Sequence, residues 1–401
     1  MKGRSTKLIH AGEGAPVNAV PLTTPIYETS TFVFDNAQEV VACNEGRSSK
    51  YIYSRYANPT VVSVERQLAA LDGAETALAF ASGMGATTTI LMALLRSGDE
   101  VVCSSAIYGG TLHLLQDLLS RFGVICQFVA LEALAEPATV LTEMTKVVWF
   151  ESPTNPTLRC VDIKTIAEAC RARGVITIFD NTFASPINQQ PIALGVDLSM
   201  QSATKYLNGH SDVTGGVVSG SKALVDRIDR TRRLVGAVMD PHSAYALGRG
   251  LKTLPLRVAQ HNANAQAVAE FLAADRRVSR VYYPGLPDHP DRAIAGRQMA
   301  GFGGMVCFDL DGRFDRAERV YDRFALIKRA ASLGGVESLV SMPVLTSQWG
   351  CTDEQLRAAG VTKGMLRLSV GLEDVEDVLA DLDHALGSEP ARSAGADAAS
   401  T

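Results

Sequence analysis

Short apolar runs, each closed by one polar or small residue, recur through the middle of the chain. Val147–Phe150, Val175–Phe179 and Val196–Met200 are rich in β-branched and aromatic side chains, and each predicts a buried strand. Between the first two, apolar positions return at helical spacing from Ile163 to Arg173 and stop at Gly174, which predicts an amphipathic helix with a glycine after its last turn. Leu78–Ala81 reads as a further strand, followed by a glycine turn at Ser82–Gly85 and a helix over Ala86–Leu95. Strands separated by helices predict an α/β fold with a mostly parallel sheet covered on both faces.

The texture changes after about Pro255. A long helical pattern, Val258–Ala274, precedes strands at Val278–Tyr283 and Met305–Leu310, and the pattern closes on a helix at Val375–Leu386. Four segments result: an irregular, proline-punctuated arm over 1–57 that packs on a neighbouring subunit, a large α/β domain over 58–255, a smaller α+β domain over 256–386, and an Ala/Ser/Gly-rich tail over 387–401 expected to be disordered.

Composition changes this picture little. The 401 residues are 46% hydrophobic and 20% charged, enough for a sizeable core. A net charge of -5 without a basic stripe argues against nucleic-acid binding. The 7 cysteines are scattered without a C-x-x-C pair, which argues against a disulfide framework and a zinc site. The uncharged stretch Ala77–Leu95 contains glycines and a threonine triplet, so it reads as strand, turn and buried helix rather than a membrane span. The start has no apolar core of a secretory signal, and the expected location is cytoplasmic.

Candidate chemistry lies where the strands end, which is where open α/β sheets bind ligands. Val147–Phe150 runs into Glu151-Ser-Pro-Thr-Asn155-Pro, Val175–Phe179 into Asp180-Asn-Thr, and Val196–Met200 into Ser202-Ala-Thr204-Lys205. A carboxylate directly after an apolar strand is costly to bury without a cation, and Lys205 poses the same problem with opposite sign. Asp180 and Lys205 either pair with each other or both face a cofactor. Pyridoxal phosphate would use a lysine amine, a carboxylate for its ring nitrogen, and phosphate donors of the kind Ser82-Gly83-Met84-Gly85 offers at a helix start.

Taken together, these segments resemble the pyridoxal-phosphate enzymes of cysteine and methionine metabolism, the trans-sulfuration family of cystathionine γ-synthase, cystathionine γ-lyase, methionine γ-lyase and the homoserine-ester sulfhydrylases. The resemblance runs from about Leu8 to Leu386 and rests on Tyr53-Ser-Arg55-Tyr-Ala-Asn-Pro-Thr60, Ser82–Ala86, Tyr108-Gly-Gly-Thr111, Glu151–Pro156, Asp180-Asn-Thr, Ser202–Lys205, Ser332-Leu-Gly-Gly335 and Leu366–Asp374. It implies fold type I of the PLP-dependent transferases, the aspartate aminotransferase-like architecture. It also implies that Lys205 forms the Schiff base and shuttles protons, Asp180 meets the pyridine nitrogen, and Tyr108 stacks on the ring and acts as a second acid/base. Gly83, Met84, Ser202 and Thr204 would hold the phosphate. Tyr53 and Arg55 would reach a neighbour's phosphate, which implies a homodimer with shared sites, doubled to a homotetramer. Arg367, Asn155 and Ser332 would clamp the substrate carboxylate, with Glu151 bracing the network.

The implied reaction is γ-elimination or γ-replacement on a homoserine-derived or sulfur amino acid, through a β,γ-unsaturated intermediate. No subgroup fits cleanly. Gly110 replaces the cysteine of methionine γ-lyases and Arg233 their aspartate, Ala331 replaces the glutamate common in cystathionine enzymes, and Thr346-Ser-Gln replaces a histidine-containing segment. Capture of the intermediate by a non-sulfur nucleophile, sulfhydrylase activity, transamination and a non-catalytic scaffold are the alternatives.

Overall fold

The computed structural model describes residues 20–387. Among them a seven-stranded sheet has the order β1-β7-β6-β5-β4-β2-β3, with β1 Thr76–Phe80, β2 Glu100–Ser104, β3 Ile125–Val129, β4 Thr145–Glu151, β5 Ile176–Asp180, β6 Leu198–Ser202 and β7 Gly216–Gly220. All neighbours are parallel except β7, which runs antiparallel to both β1 and β6. The expected mostly parallel sheet is present.

The continuous apolar run of β4 follows from burial on both faces. Val147 and Trp149 pack with Ile90 and Leu91 of the helix Gly83–Leu94, while Val148 and Phe150 pack with Ile163 and Ile166 of the helix Ile163–Ala172. Successive side chains point to opposite faces, so a strand sandwiched between helices has no solvent side to fill with polar residues. Each such side chain contributes about 1.5–3 kcal/mol by leaving water.

A second, five-stranded sheet has the order β10-β11-β12-β9-β8, with β8 Arg280–Tyr282, β9 Met305–Asp309, β10 Lys328–Arg329, β11 Leu339–Ser341 and β12 Met365–Ser369. The helix Val375–Leu386 covers it through Val378, Leu382 and Leu386. The helix Leu254–Ala274 joins the two units: Leu254 and Val258 belong to the core of the large domain, Ala265 and Val268 to that of the C-terminal domain.

Two sequence expectations shift. The strand expected at Val196–Met200 begins at Leu198 and ends at Ser202, because Asp197 turns back to accept the N–H and hydroxyl of Thr177. Among the described residues the arm contains one helix, Ala37–Asn44, started by the Asn36 side chain accepting the Glu39 N–H. That helix buries no residue, and Val20, Leu22 and Val33 of the arm are exposed. Residues 1–19 of the N-terminal arm, and the tail beyond Gly387, lie outside the described residues. No described helix is long and apolar enough to cross a membrane.

Candidate active site

The parallel strands carry their last residues to one edge of the sheet. Glu151 ends β4 beside Asp180, the last residue of β5, and Asp180 stands opposite Met200 of β6. These residues open onto a cavity of about 510 Å³. Its floor is formed by Glu151, Asp180, Met200 and Lys205. One wall comes from Ser82, Gly83, Met84 and Tyr108, and the facing wall from Ala331, Ser332, Thr346, Ser347 and Arg367 of the C-terminal domain.

Lys205 follows β6 in a turn whose N–H donates to Ser202 O. Its side chain is half-buried, and Nζ donates to Ser332 Oγ at 2.7 Å. Among the described residues no carboxylate pairs with it, so the Asp180–Lys205 ion pair weighed from the sequence does not form. Burial, and then the neighbouring Arg367 charge, lower its pKa from the ordinary lysine value to about 8. Ser332 itself has a positive φ of 103°, strain of a kind that clusters at functional sites.

Asp180 lies deep beside the cavity. Its Oδ1 accepts the Thr182 N–H at 3.0 Å, and no cation pairs with it among the described residues. Burial pushes its carboxyl up. Glu151 is buried as well, and desolvation followed by the Asp180 charge pushes it up too. Two adjacent carboxyls, Glu151 buried and Asp180 part-buried, cannot both ionise cheaply without a cation, and a positive group in the cavity would favour their ionised forms. Glu151 makes a second contribution: Oε2 accepts the Tyr108 N–H at 3.0 Å and Oε1 the Asn155 N–H at 2.9 Å. It braces the loops that present both residues, and no contact of Glu151 with Lys205 is present.

The wall at Ser82–Met84 is a helix start. Ser82 Oγ accepts the Gly85 N–H at 2.9 Å, which leaves the Gly83 and Met84 amides without intrahelical acceptors. A Cβ at Gly83 would sit 3.2 Å from Ser202 Oγ, so the missing side chain brings helix and hydroxyl together. Thr204 Oγ1 accepts the Gly215 N–H at 3.0 Å and fixes the return into β7. The Tyr108 ring lies over Gly110 and Met84, since a Cβ at Gly110 would fall 2.5 Å from Tyr108 Cε1 and 3.0 Å from Met84 Sδ. Any side chain at 110 therefore displaces the ring.

Arg367 sits in the middle of β12, a position normally apolar. It is buried; Nη1 donates to Asn155 Oδ1 at 2.9 Å and Nη2 to Ser332 O at 3.4 Å, while Nε has no protein partner. Burial lowers its pKa without removing the charge. The guanidinium thus links the two domains and keeps donor capacity in reserve.

Tyr53 and Arg55 do not line this cavity. Arg55 stacks over the rings of Tyr53 and Tyr56, at 5.4 and 4.9 Å, and donates to Arg233 O. Thr182 was not singled out from the sequence. Its N–H holds Asp180 and its Oγ1 accepts the Ser202 N–H at 2.8 Å, so it ties two strand ends together. Ser347 was likewise missed; its carbonyl lies 2.9 Å from where a Gly109 Cβ would be.

The model of the family described as Cys/Met metabolism PLP-dependent enzyme matches residues 5–387. The chain is 42% identical over 388 residues to an L-methionine gamma-lyase of Pseudomonas putida, covering 96% of this chain and 98% of that protein. It is 41% identical over 381 residues to the chloroplastic cystathionine gamma-synthase 1 of Arabidopsis thaliana, covering 94% and 68%. The crystal structure of a cystathionine gamma-lyase from Lactobacillus plantarum complexed with L-serine is similar with a TM-score of 0.86 and 37% identity, over 92% of this chain and 94% of that one. A family model spanning nearly the whole chain and full-length relatives on the same fold place the protein in the pyridoxal-phosphate-dependent family of cysteine and methionine metabolism enzymes.

Proposed function

We propose that this enzyme catalyses γ-elimination or γ-replacement on a homoserine-derived or sulfur amino acid. The observation that carries the proposal is Lys205, an amine with a lowered pKa and no acidic partner among the described residues, facing a cavity that also holds Asp180 and Arg367.

The residues fit pyridoxal phosphate. Asp180 is a part-buried carboxyl without a cation partner among the described residues, and a protonated ring nitrogen beside it would stabilise its ionised form. The free amides of Gly83 and Met84, with the hydroxyls of Ser202 and Thr204, suit a phosphate. Tyr108 lies at the same wall, placed to cover a flat ring. Once bound, the cofactor withdraws electrons from the α-carbon of an amino acid joined to it.

The chain's own groups do the rest. Arg367, with Asn155 and Ser332, orients the amino acid by its carboxylate. The Lys205 Nζ, on a flexible four-carbon stem and near-equally charged and neutral at mildly alkaline pH, takes and returns protons at successive carbons. The Tyr108 Oη serves as a second acid/base. Ala331, Thr346 and Ser347 give the C-terminal wall no carboxylate, which favours a γ-substituent without a distal ammonium group. By the same reading, the exposed apolar arm, with Tyr53 and Arg55, covers a neighbouring subunit and completes that subunit's phosphate site.

The pKa of Lys205 gives a signed expectation. Only the neutral amine attacks an aldehyde, and its fraction rises with pH through the folded value. Capture of pyridoxal phosphate by cofactor-free enzyme, followed by absorbance in a stopped-flow experiment, should therefore accelerate with pH to about 8 and level off above it. A rate still rising toward the ordinary lysine range would mean that the burial does not act on this amine.

The reaction is tested by offering O-acetyl-, O-succinyl- and O-phosphohomoserine, cystathionine and methionine separately, with and without a thiol, and weighing the products. Release of 2-oxobutanoate, or a thiol adduct at the γ-carbon, is expected from at least one. Absence of both products with every one of these substrates would defeat the proposal of γ-chemistry.

A further inference from the structure

A second cleft, of about 230 Å³, lies between the large and C-terminal domains, away from the lysine. Three guanidinium groups line it, those of Arg159, Arg280 and Arg357, against a single carboxylate, Glu132. Arg159 is held by Asp291, with Nε to Oδ2 at 2.6 Å, and touches Glu132 at 3.2 Å through Nη1. Arg280 and Arg357 are exposed, and among the described residues neither is hydrogen-bonded to a carboxylate, although the Asp353 charge acts on Arg357; Arg280 lies 4.8 Å over the Tyr282 ring. Like charges facing one small cleft repel unless an anion sits between them. Planar guanidinium forks suit a tetrahedral oxyanion.

The cleft also backs onto the active site. Ser105 and Ala106 in its wall precede Tyr108, and Thr157 follows Asn155, the two loops that Glu151 braces. Tyr282 stands opposite Cys307 of β9, and Cys307 opposite Arg367 of β12, so the three residues form one row across the sheet. At the usual strand spacing that row is about 10 Å long.

We propose that this cleft binds a small dianion of the phosphate or phosphate-monoester class. Bound there, the anion draws Arg280 and Arg357 of the C-terminal domain toward Arg159 of the large domain. The same movement presses Arg367 toward Asn155 and tightens the substrate-carboxylate site.

The test titrates cofactor-saturated enzyme with inorganic phosphate by calorimetry and measures the KM for the best amino-acid substrate with and without phosphate. Wild type should bind saturably, and its KM should fall about fivefold. Arg280→Ala or Arg357→Ala should each weaken binding about tenfold, and the double variant should lose both the binding and the KM effect. Glu132→Gln should tighten binding, since it removes the carboxylate that lines the cleft and releases Nη1 of Arg159, while Asp291 still holds Nε and Nη2. The cofactor absorbance should not change in any of these variants. Phosphate binding equally to wild type and the double variant, no saturable binding to wild type, or a KM indifferent to bound phosphate would each overturn the proposal.

Discussion

Lys205→Ala is expected to lower kcat at least about a thousandfold, because it removes both the cofactor's anchor and the proton carrier in one step. The fold should tolerate the change. Lys205 makes one side-chain hydrogen bond, to Ser332 Oγ, and has no ion pair whose loss would leave a buried anion exposed to desolvation. Burial disfavours its charged form, so alanine relieves rather than adds that strain. Lys205→Arg is the informative companion. It keeps a cation beside Ser332 but offers no nucleophile and, as a permanently charged guanidinium, no proton exchange near neutral pH. Both variants should be inactive and well folded by circular dichroism. Activity within tenfold of wild type in either would show that the amine neither anchors nor shuttles.

Arg367→Lys is expected to act on binding instead. The guanidinium reaches Asn155 Oδ1 and Ser332 O with its two Nη atoms, and each Nη keeps a second N–H, so the group can hold a carboxylate without releasing its protein partners. A lysine ammonium is a point donor and cannot span these positions. Losing two charge-assisted hydrogen bonds should raise the KM roughly a hundredfold. The kcat should change much less, because the carboxylate contact is made equally in ground and transition states. Initial rates over a wide substrate range separate the two parameters. A fall in kcat at constant KM would move Arg367 from substrate binding to the reacting atoms.

The strands and their terminal residues were legible because the physics there is local. An apolar run of β-branched and aromatic residues buried on both faces reads as a strand without any partner in view, and an acid or lysine at its end stands out against it. That is how Glu151, Asp180 and the Ser202–Lys205 turn emerged from the sequence. Strands β2, β3 and β7 were not singled out, since Gly216–Gly220 and Ile125–Val129 lack a distinctive residue at the end. A bracing role for Glu151 was expected, but the groups it holds were beyond reach for a different reason. That role depends on the N–H groups of Tyr108 and Asn155, 43 residues before it and 4 after it, converging only once the sheet forms. Thr182 stayed hidden for the same reason: its partner Ser202 is 20 residues away on the next strand. The second arginine cleft draws on residues spread from Ser105 to Gly360, and no spacing in the sequence announces it.

Lys205 as the residue that carries pyridoxal phosphate is the point on which the rest hangs, and borohydride reduction of the holoenzyme followed by peptide mass mapping tests it most directly. A phosphopyridoxyl mass on the peptide containing Lys205, with loss of activity in step with labelling, is the expected result. The same mass on another lysine, or an unlabelled Lys205 peptide in fully reduced enzyme, would contradict it.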